Sequence, residues 1–266
     1  MSARILCCLA LPLLASTAQP KDRAARAVSV SAAQPMTTSF LDGFERLDEK
    51  RWFVSNGWVN GPIQGCTWSR QAVSVSKGVL RLRVAKAQNQ HRPYICGEVQ
   101  TRMRLGYGWY EARVRTVSGS GFNSAIFTYS GPPNTKVHDE IDFEFLGKNA
   151  RTVQLNYFVN GRGEHGSVQE LGLDASHGFN RYAFQWSPGT IRWFVNDHLV
   201  RTSNDKSMPE TPGLLFASVW SGTAQVDDWL GRFDPSSLPV LMEVDWIAYT
   251  RAGERCRFPE STSCRH

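Results

Sequence analysis

A chain of 266 residues, 41% hydrophobic and 20% charged, has the length and composition of one large globular domain. Its formal charge of +6 would suit nucleic acid or an anionic polymer, but no Lys/Arg run, helix-turn-helix or RNP-type string supports nucleic acid. The apolar run near the start is too short to cross a bilayer and no second one follows, so no membrane partner is expected.

In chain order, residues 1–18 read as a secretory signal peptide. Arg4 gives the charged start, Ile5 to Ala15 the short apolar core, and Ser16-Thr17-Ala18 the small residues for cleavage. The expected location is therefore outside the cytoplasm, extracellular or periplasmic. Cys7 and Cys8 would leave with this segment. Cys66, Cys96, Cys256 and Cys264 remain, and an even number in an exported chain favours two disulfides. Residues 19–37 have no apolar period and read as a flexible mature N-terminus.

One domain is expected over 38–250, built of short strands. Residues 79–84 and 109–115 alternate apolar and polar. Thr190 to Val195, Asn196-Asp197 and His198 to Thr202 read as a hairpin with a tight turn. Strand-like runs recur to Tyr249 with no amphipathic helix longer than a turn or two, which predicts an all-β sandwich. Residues 251–266 read as a polar C-terminal tail whose Cys256 and Cys264 close a small loop on each other. A monomer is the default expectation.

The stretch at 138–147 carries the chemistry. Glu140, Asp142 and Glu144 alternate with Ile141, Phe143 and Phe145, the period of a half-buried strand. All three acids then share one face, where they repel one another and help no strand form. Glycoside hydrolysis needs such a group, because one carboxyl protonates the leaving oxygen while another attacks the anomeric carbon or activates water. The Cα atoms of Glu140 and Glu144 would lie roughly 13 Å apart at about 3.3 Å per residue. Side chains leaning together reach the roughly 5–5.5 Å of retaining enzymes, and the wider inverting spacing is reachable too, so spacing leaves the stereochemistry open. A solvated strand face or a cation site are the competing readings of the acids alone. No G-x-S-x-G, H-E-x-x-H or Walker A string offers another chemistry. Glu164-His165 and His177 read as surface loop residues, and Gly119-Ser120-Gly121 as a turn.

The string resembles glycoside hydrolase family 16, with its motif E-[ILV]-D-[hydrophobic]-E. The likeness to the bacterial lichenases of that family runs from about Phe40 to Thr250, through Cys66-Thr67-Trp68, Cys96-Gly97-Glu98, the run 106–111, Val153 to Tyr157 and the run 227–231. It implies a concanavalin A-like jelly roll with a concave face as an open cleft. It also implies a retaining, endo-acting enzyme on β-glucan-type polysaccharide, with Glu140 as nucleophile, Asp142 assisting and Glu144 as acid/base. Within the family, rhizobial endo-glycanases that trim the acidic exopolysaccharide succinoglycan look similar in length and in the H-D-E-I-D-F-E string. The same string resembles plant xyloglucan endotransglycosylases, so transfer is the alternative to hydrolysis, and a non-catalytic lectin of the same sandwich is a third reading.

By the same resemblance Cys66 pairs with Cys96, and Trp58, Asn60, Glu98, Asn156, Trp220 and Trp229 stand at substrate-binding positions. Phe127 and Tyr129 alternate on one strand and should share its cleft face, and His138 is expected to contact substrate in the cleft. A structural calcium is implied at Gly43, Gly78 and Asp245; catalysis itself needs no cofactor. The chain departs from the lichenase pattern at His138 in place of Trp, Gln100 in place of Arg, Phe158 in place of Tyr and Ser218 in place of Asn. These changes lean the expected substrate away from plain mixed-linkage glucan.

Overall fold

The computed structural model describes residues 39–88 and 91–266. The readings of 1–18 and 19–37 lie outside the described residues. Sixteen strands follow in chain order among the described residues: β1 (Phe40–Asp42), β2 (Trp52–Val54), β3 (Thr67–Trp68), β4 (Val73–Ser76), β5 (Val79–Lys86), β6 (Tyr94–Thr101), β7 (Gly108–Arg115), β8 (Phe122–Ser130), β9 (Asp139–Leu146), β10 (Thr152–Phe158), β11 (Ser167–Glu170), β12 (Asn180–Ser187), β13 (Thr190–Val195), β14 (His198–Ser203), β15 (Leu214–Ser221) and β16 (Val240–Arg251). The one α-helix among them, α1 (Asp227–Leu230), is a single turn.

Two antiparallel layers form. The front sheet runs β11-β10-β9-β8-β15-β6-β2. The back sheet runs β4-β5-β16-β7-β12-β13-β14, with β1 also paired to β16. They join at a corner where Ala85 and Lys86 of β5 pair with Ile95 and Tyr94 of β6. This is the expected β-sandwich of the jelly-roll type.

Alternation fixes which side of each strand meets the core. On β9, Ile141, Phe143 and Phe145 are at most 1% exposed. They face Tyr182 and Phe184 of the back sheet, with Phe145 at 4.5 Å and Phe143 at 5.7 Å from the Tyr182 ring. Slipping β9 by one residue would put three carboxyls into this layer, so its register is strongly specified. The hairpin of β13 and β14 turns at Asn196 and Asp197, both at positive φ (46° and 72°), the geometry its two-residue loop requires.

Both expected disulfides form. Cys66 and Cys96 stand 5.7 Å apart at Cα, and Cys256 and Cys264 5.0 Å apart. The end of the chain is more than a polar tail. Glu111 sits on the outer side of β7, between core-facing Tyr110 and Ala112, yet it is only 2% exposed. Ser261 Oγ donates to one of its carboxylate oxygens and the Thr262 N–H to the other, at 2.6 Å. Thr262 Oγ1 also donates to Asp197 at 2.9 Å, and the His266 ring packs 4.7 Å from Phe194. A sequence rich in Ser, Arg and Glu hides this docking, because its partner is a buried carboxylate and not an apolar groove.

Candidate active site

The register of the front sheet places the three acids in three parallel rows across its open face. Glu140 stands beside Tyr129 on β8 and Phe158 on β10. Asp142 stands beside Phe127 and Asn156, and Glu144 beside Ala125 and Gln154. The middle row continues through Phe216 on β15 and Gln100 on β6 to Phe53 on β2. From Asp142 to Phe53 is four strand intervals, or about 19 Å at roughly 4.8 Å each. Phe127 and Phe216 stack along it at 4.7 Å and 14°. The site is thus a trough crossing the strands, floored by rings, with the acids on β9 and Phe158, Asn156 and Gln154 of β10 beyond them.

The two outer acids differ in surroundings. The His138 ring Nε2 lies 2.7 Å from Glu140 Oε2. Asn123 Nδ2 donates to Glu144 Oε1 at 3.0 Å. Burial, and then the negative charge of Glu140, push the Glu144 carboxyl up to about 8, against the smaller opposing effect of the Asn123 bond. Glu144 therefore carries a proton at neutral pH while a second carboxyl stands two residues beyond Asp142. A pair of acids whose environments set them apart is what an acid and a nucleophile require.

The expected binding residues fall in four places. Phe127, Tyr129 and Asn156 lie in the rows of the acids, and His138 precedes Glu140 by two residues and touches it. Glu98 lies farther across, beside Ser218, where Ser55 Oγ donates to it at 2.6 Å and burial raises its pKa to about 7. Trp220 and Trp229 come together at 6.0 Å, and Trp229 Nε1 donates to Gln154 Oε1 at 2.9 Å. Trp58 and Asn60 stand on the rim. The Trp58 ring is 37% exposed and stacks on Phe53 at 6.1 Å and 21°, and its loop is fastened by the Trp68 N–H bonding the Trp58 carbonyl at 2.9 Å. Asn60 is exposed, and its N–H donates to Gln64 at 2.7 Å.

Sequence reasoning missed Asn123, Gln154, Phe216 and Phe53. Asn123 and Gln154 share the parity of Phe127 and Asn156, so carrying the two-residue period along β8 and β10 would have found them. Phe216 follows in the same way from Ser218 and Trp220. Phe53 has no such signal, since β2 is three residues long and its register comes from pairing with β6. His165 is not a free loop residue: its ring lies 4.1 Å over Tyr157, at 9°.

Gly43, Gly78 and Asp245, the positions expected to hold calcium, offer oxygen donors only, the kind that suits calcium. A Cβ on Gly78 would stand 3.6 Å from both the Gly43 carbonyl oxygen and Glu45 Oε1, so those groups do converge. Asp245, at the bulge of β16, is instead engaged by the Arg113 guanidinium. A cation would have to take that carboxylate from Arg113.

An open ring-floored trough on a jelly-roll sandwich, with a protonated carboxyl beside an unlike partner, defines a glycoside hydrolase. The chain belongs to glycosyl hydrolases family 16, whose pattern matches residues 61–248. It is 45% identical over 228 residues to the endo-1,3-1,4-beta-glycanase ExoK of Rhizobium meliloti (strain 1021), spanning 85% of this chain and 84% of that protein. It is 36% identical over 225 residues to a beta-glucanase of Bacillus subtilis (strain 168), spanning 85% of this chain and 91% of that one. Among solved structures, a beta-1,3-1,4-glucanase (lichenase) from a mouse hindgut metagenome superposes with a TM-score of 0.77 at 36% identity, over 80% of this chain and 99% of that chain.

Proposed function

We propose that the protein is an exported, retaining endo-1,3-1,4-β-glycanase whose natural substrate is an acidic bacterial exopolysaccharide such as succinoglycan. Glu140 attacks the anomeric carbon as the bond to the leaving oxygen breaks, and Glu144 gives that oxygen its proton. The resulting glycosyl ester neutralises Glu140, which removes one of the two causes that raise Glu144. Glu144 then takes a proton from the incoming water, whose oxygen displaces Glu140 from the sugar. Asp142, 2% exposed, stands between them on the same face and assists.

The observation that carries this reading is that Glu140 and Glu144 share the open face of β9, Glu140 in contact with His138 and Glu144 bonded by Asn123, with burial raising the Glu144 pKa. The likeness to the Rhizobium meliloti protein supports the linkage type. The acidic substrate is supported by the net charge of +6 and by Arg102, at the far end of the middle row. Its guanidinium lies 5.3 Å over the Phe53 ring and donates from Nε to the Glu49 backbone carbonyl at 2.6 Å, with no carboxylate among the described residues paired to it. Export is supported by the two disulfides.

The test compares release of reducing ends from succinoglycan, lichenan, laminarin and xyloglucan, by wild type and by Glu140→Gln. The proposal expects cleavage of succinoglycan and lichenan and a loss on the order of 10⁴-fold in the variant. Substantial turnover by a folded Glu140→Gln protein would end the assignment. For calcium, proposed here as a stabilising ion only, the melting temperature should fall on adding a chelator; an unchanged value removes the ion from the account.

A further inference from the structure

We propose that His138 is a positioning residue for the nucleophile. Its imidazole holds Oε2 of Glu140, which leaves Oε1 as the oxygen presented to the anomeric carbon. The proposal rests on the reading of Glu140 as nucleophile.

The geometry is that of a built support. The 2.7 Å contact joins Nε2 to Oε2 of Glu140. An attacking carboxylate is acceptor-only, so on the nucleophile reading the imidazole N–H donates. The His138 ring stacks on Phe158 at 5.0 Å and 13°, and Tyr129 packs against it at 5.0 Å and 57°. The Tyr129 hydroxyl donates to the Pro132 carbonyl at 3.1 Å, so it does not compete for Glu140. The His138 carbonyl accepts from the Gly161 N–H at 2.8 Å. Gly161 is at φ +80°, a conformation that favours glycine, and a Cβ there would stand 3.6 Å from His138 Nδ1.

The neighbouring residue fastens the same segment from beneath. Asp139 is 6% exposed. Its Oδ1 accepts from the Asn160 N–H, and its Oδ2 from the N–H groups of Glu210 and Thr211, each at 3.0 Å. Residues 138–140 are thus held by one loop above and another below. Ordering a free histidine for this task would cost side-chain entropy at each turnover; here the fold has already met it. A carboxylate with one oxygen fixed offers the other in a single direction, and a misplacement of about 1 Å at this step can cost about 100-fold in rate.

Two variants test this, His138→Phe and His138→Gln. Phe keeps a ring on Phe158 and lacks the donor; Gln keeps an amide N–H at a similar reach and lacks the ring. On lichenan, the proposal expects Phe to lower kcat about tenfold or more with KM within about twofold, and Gln to recover most of kcat. Equal kcat in wild type and Phe, or an equal loss in Phe and Gln with native circular dichroism, would overturn it. Trapping the wild type with a 2-deoxy-2-fluoro-β-glycosyl fluoride, followed by peptide mapping, separates the two levels. A label on Glu140 keeps the nucleophile in place whatever the His138 variants show. A label on another residue overturns both.

Discussion

Asn123 and Glu144 meet across adjacent strands, with Asn123 Nδ2 donating to Glu144 Oε1 at 3.0 Å. The bond favours the charged form of a carboxyl that its surroundings hold near 8. Removing it should raise the pKa further and free the side chain to rotate. Asn123→Ala is expected to move the alkaline limb of the kcat/KM profile to higher pH and to lower kcat about tenfold. A pH–rate profile on lichenan checks both, and an alkaline limb that stays in place or moves down would contradict the assignment of Glu144 as the acid.

Stability should carry the mark of the same desolvation. Burial raises Glu98 from its ordinary 4.5 to about 7, opposed in part by the Ser55 bond. The native state therefore keeps a proton that the unfolded chain has released, and stability falls as pH rises through the window from about 4.5 to about 7. Glu98→Gln keeps an oxygen for Ser55 and cannot ionise. Its advantage over wild type should be absent at pH 4 and reach about 1–3 kcal/mol at pH 8. Denaturant melts at the two pH values decide it; an equal effect at both would contradict the desolvation argument.

The C-terminal cap should stabilise without touching catalysis. It lies on the outer side of the back sheet, opposite the trough, and shields Glu111 through Ser261 and Thr262. Deleting residues 256–266 removes two hydrogen bonds to the Glu111 carboxylate and one to the Asp197 carboxylate and uncovers Trp109 and Phe194. A loss of about 2–3 kcal/mol, or roughly 5–10 °C in melting temperature, is expected with kcat unchanged. A matching loss of kcat in folded protein would show that the cap reaches the site.

Arg102 supplies a charge test of the substrate class. Arg102→Gln should lower kcat/KM about tenfold on an acidic polymer, through KM, and leave lichenan unaffected. Raising the salt should erode the wild-type preference and not that of the variant. Parallel changes on both polymers would remove Arg102 from substrate recognition.

The trough was legible in the sequence where period-two alternation carries it. Glu140, Asp142 and Glu144 declared their shared face, and Phe127 with Tyr129 declared theirs. The Asn123 partnership with Glu144 depends on the register between β8 and β9, which alternation along one strand does not contain. The His138 bond to Glu140 was within reach, being two residues away on the same face, but only the packing by Phe158, Tyr129 and Gly161 makes it a fixed contact. Glu111 and its cap were illegible, because a carboxylate on an outer face looks like any solvated one until another segment covers it.

Attack by Glu140 followed by water inverts the anomeric carbon twice. Proton NMR of the first product released from lichenan reads the outcome. The new reducing end should appear first as the β-anomer and turn to the α-anomer only by mutarotation. An α-anomer formed first would mean single displacement by water, and would contradict the role given to Glu140.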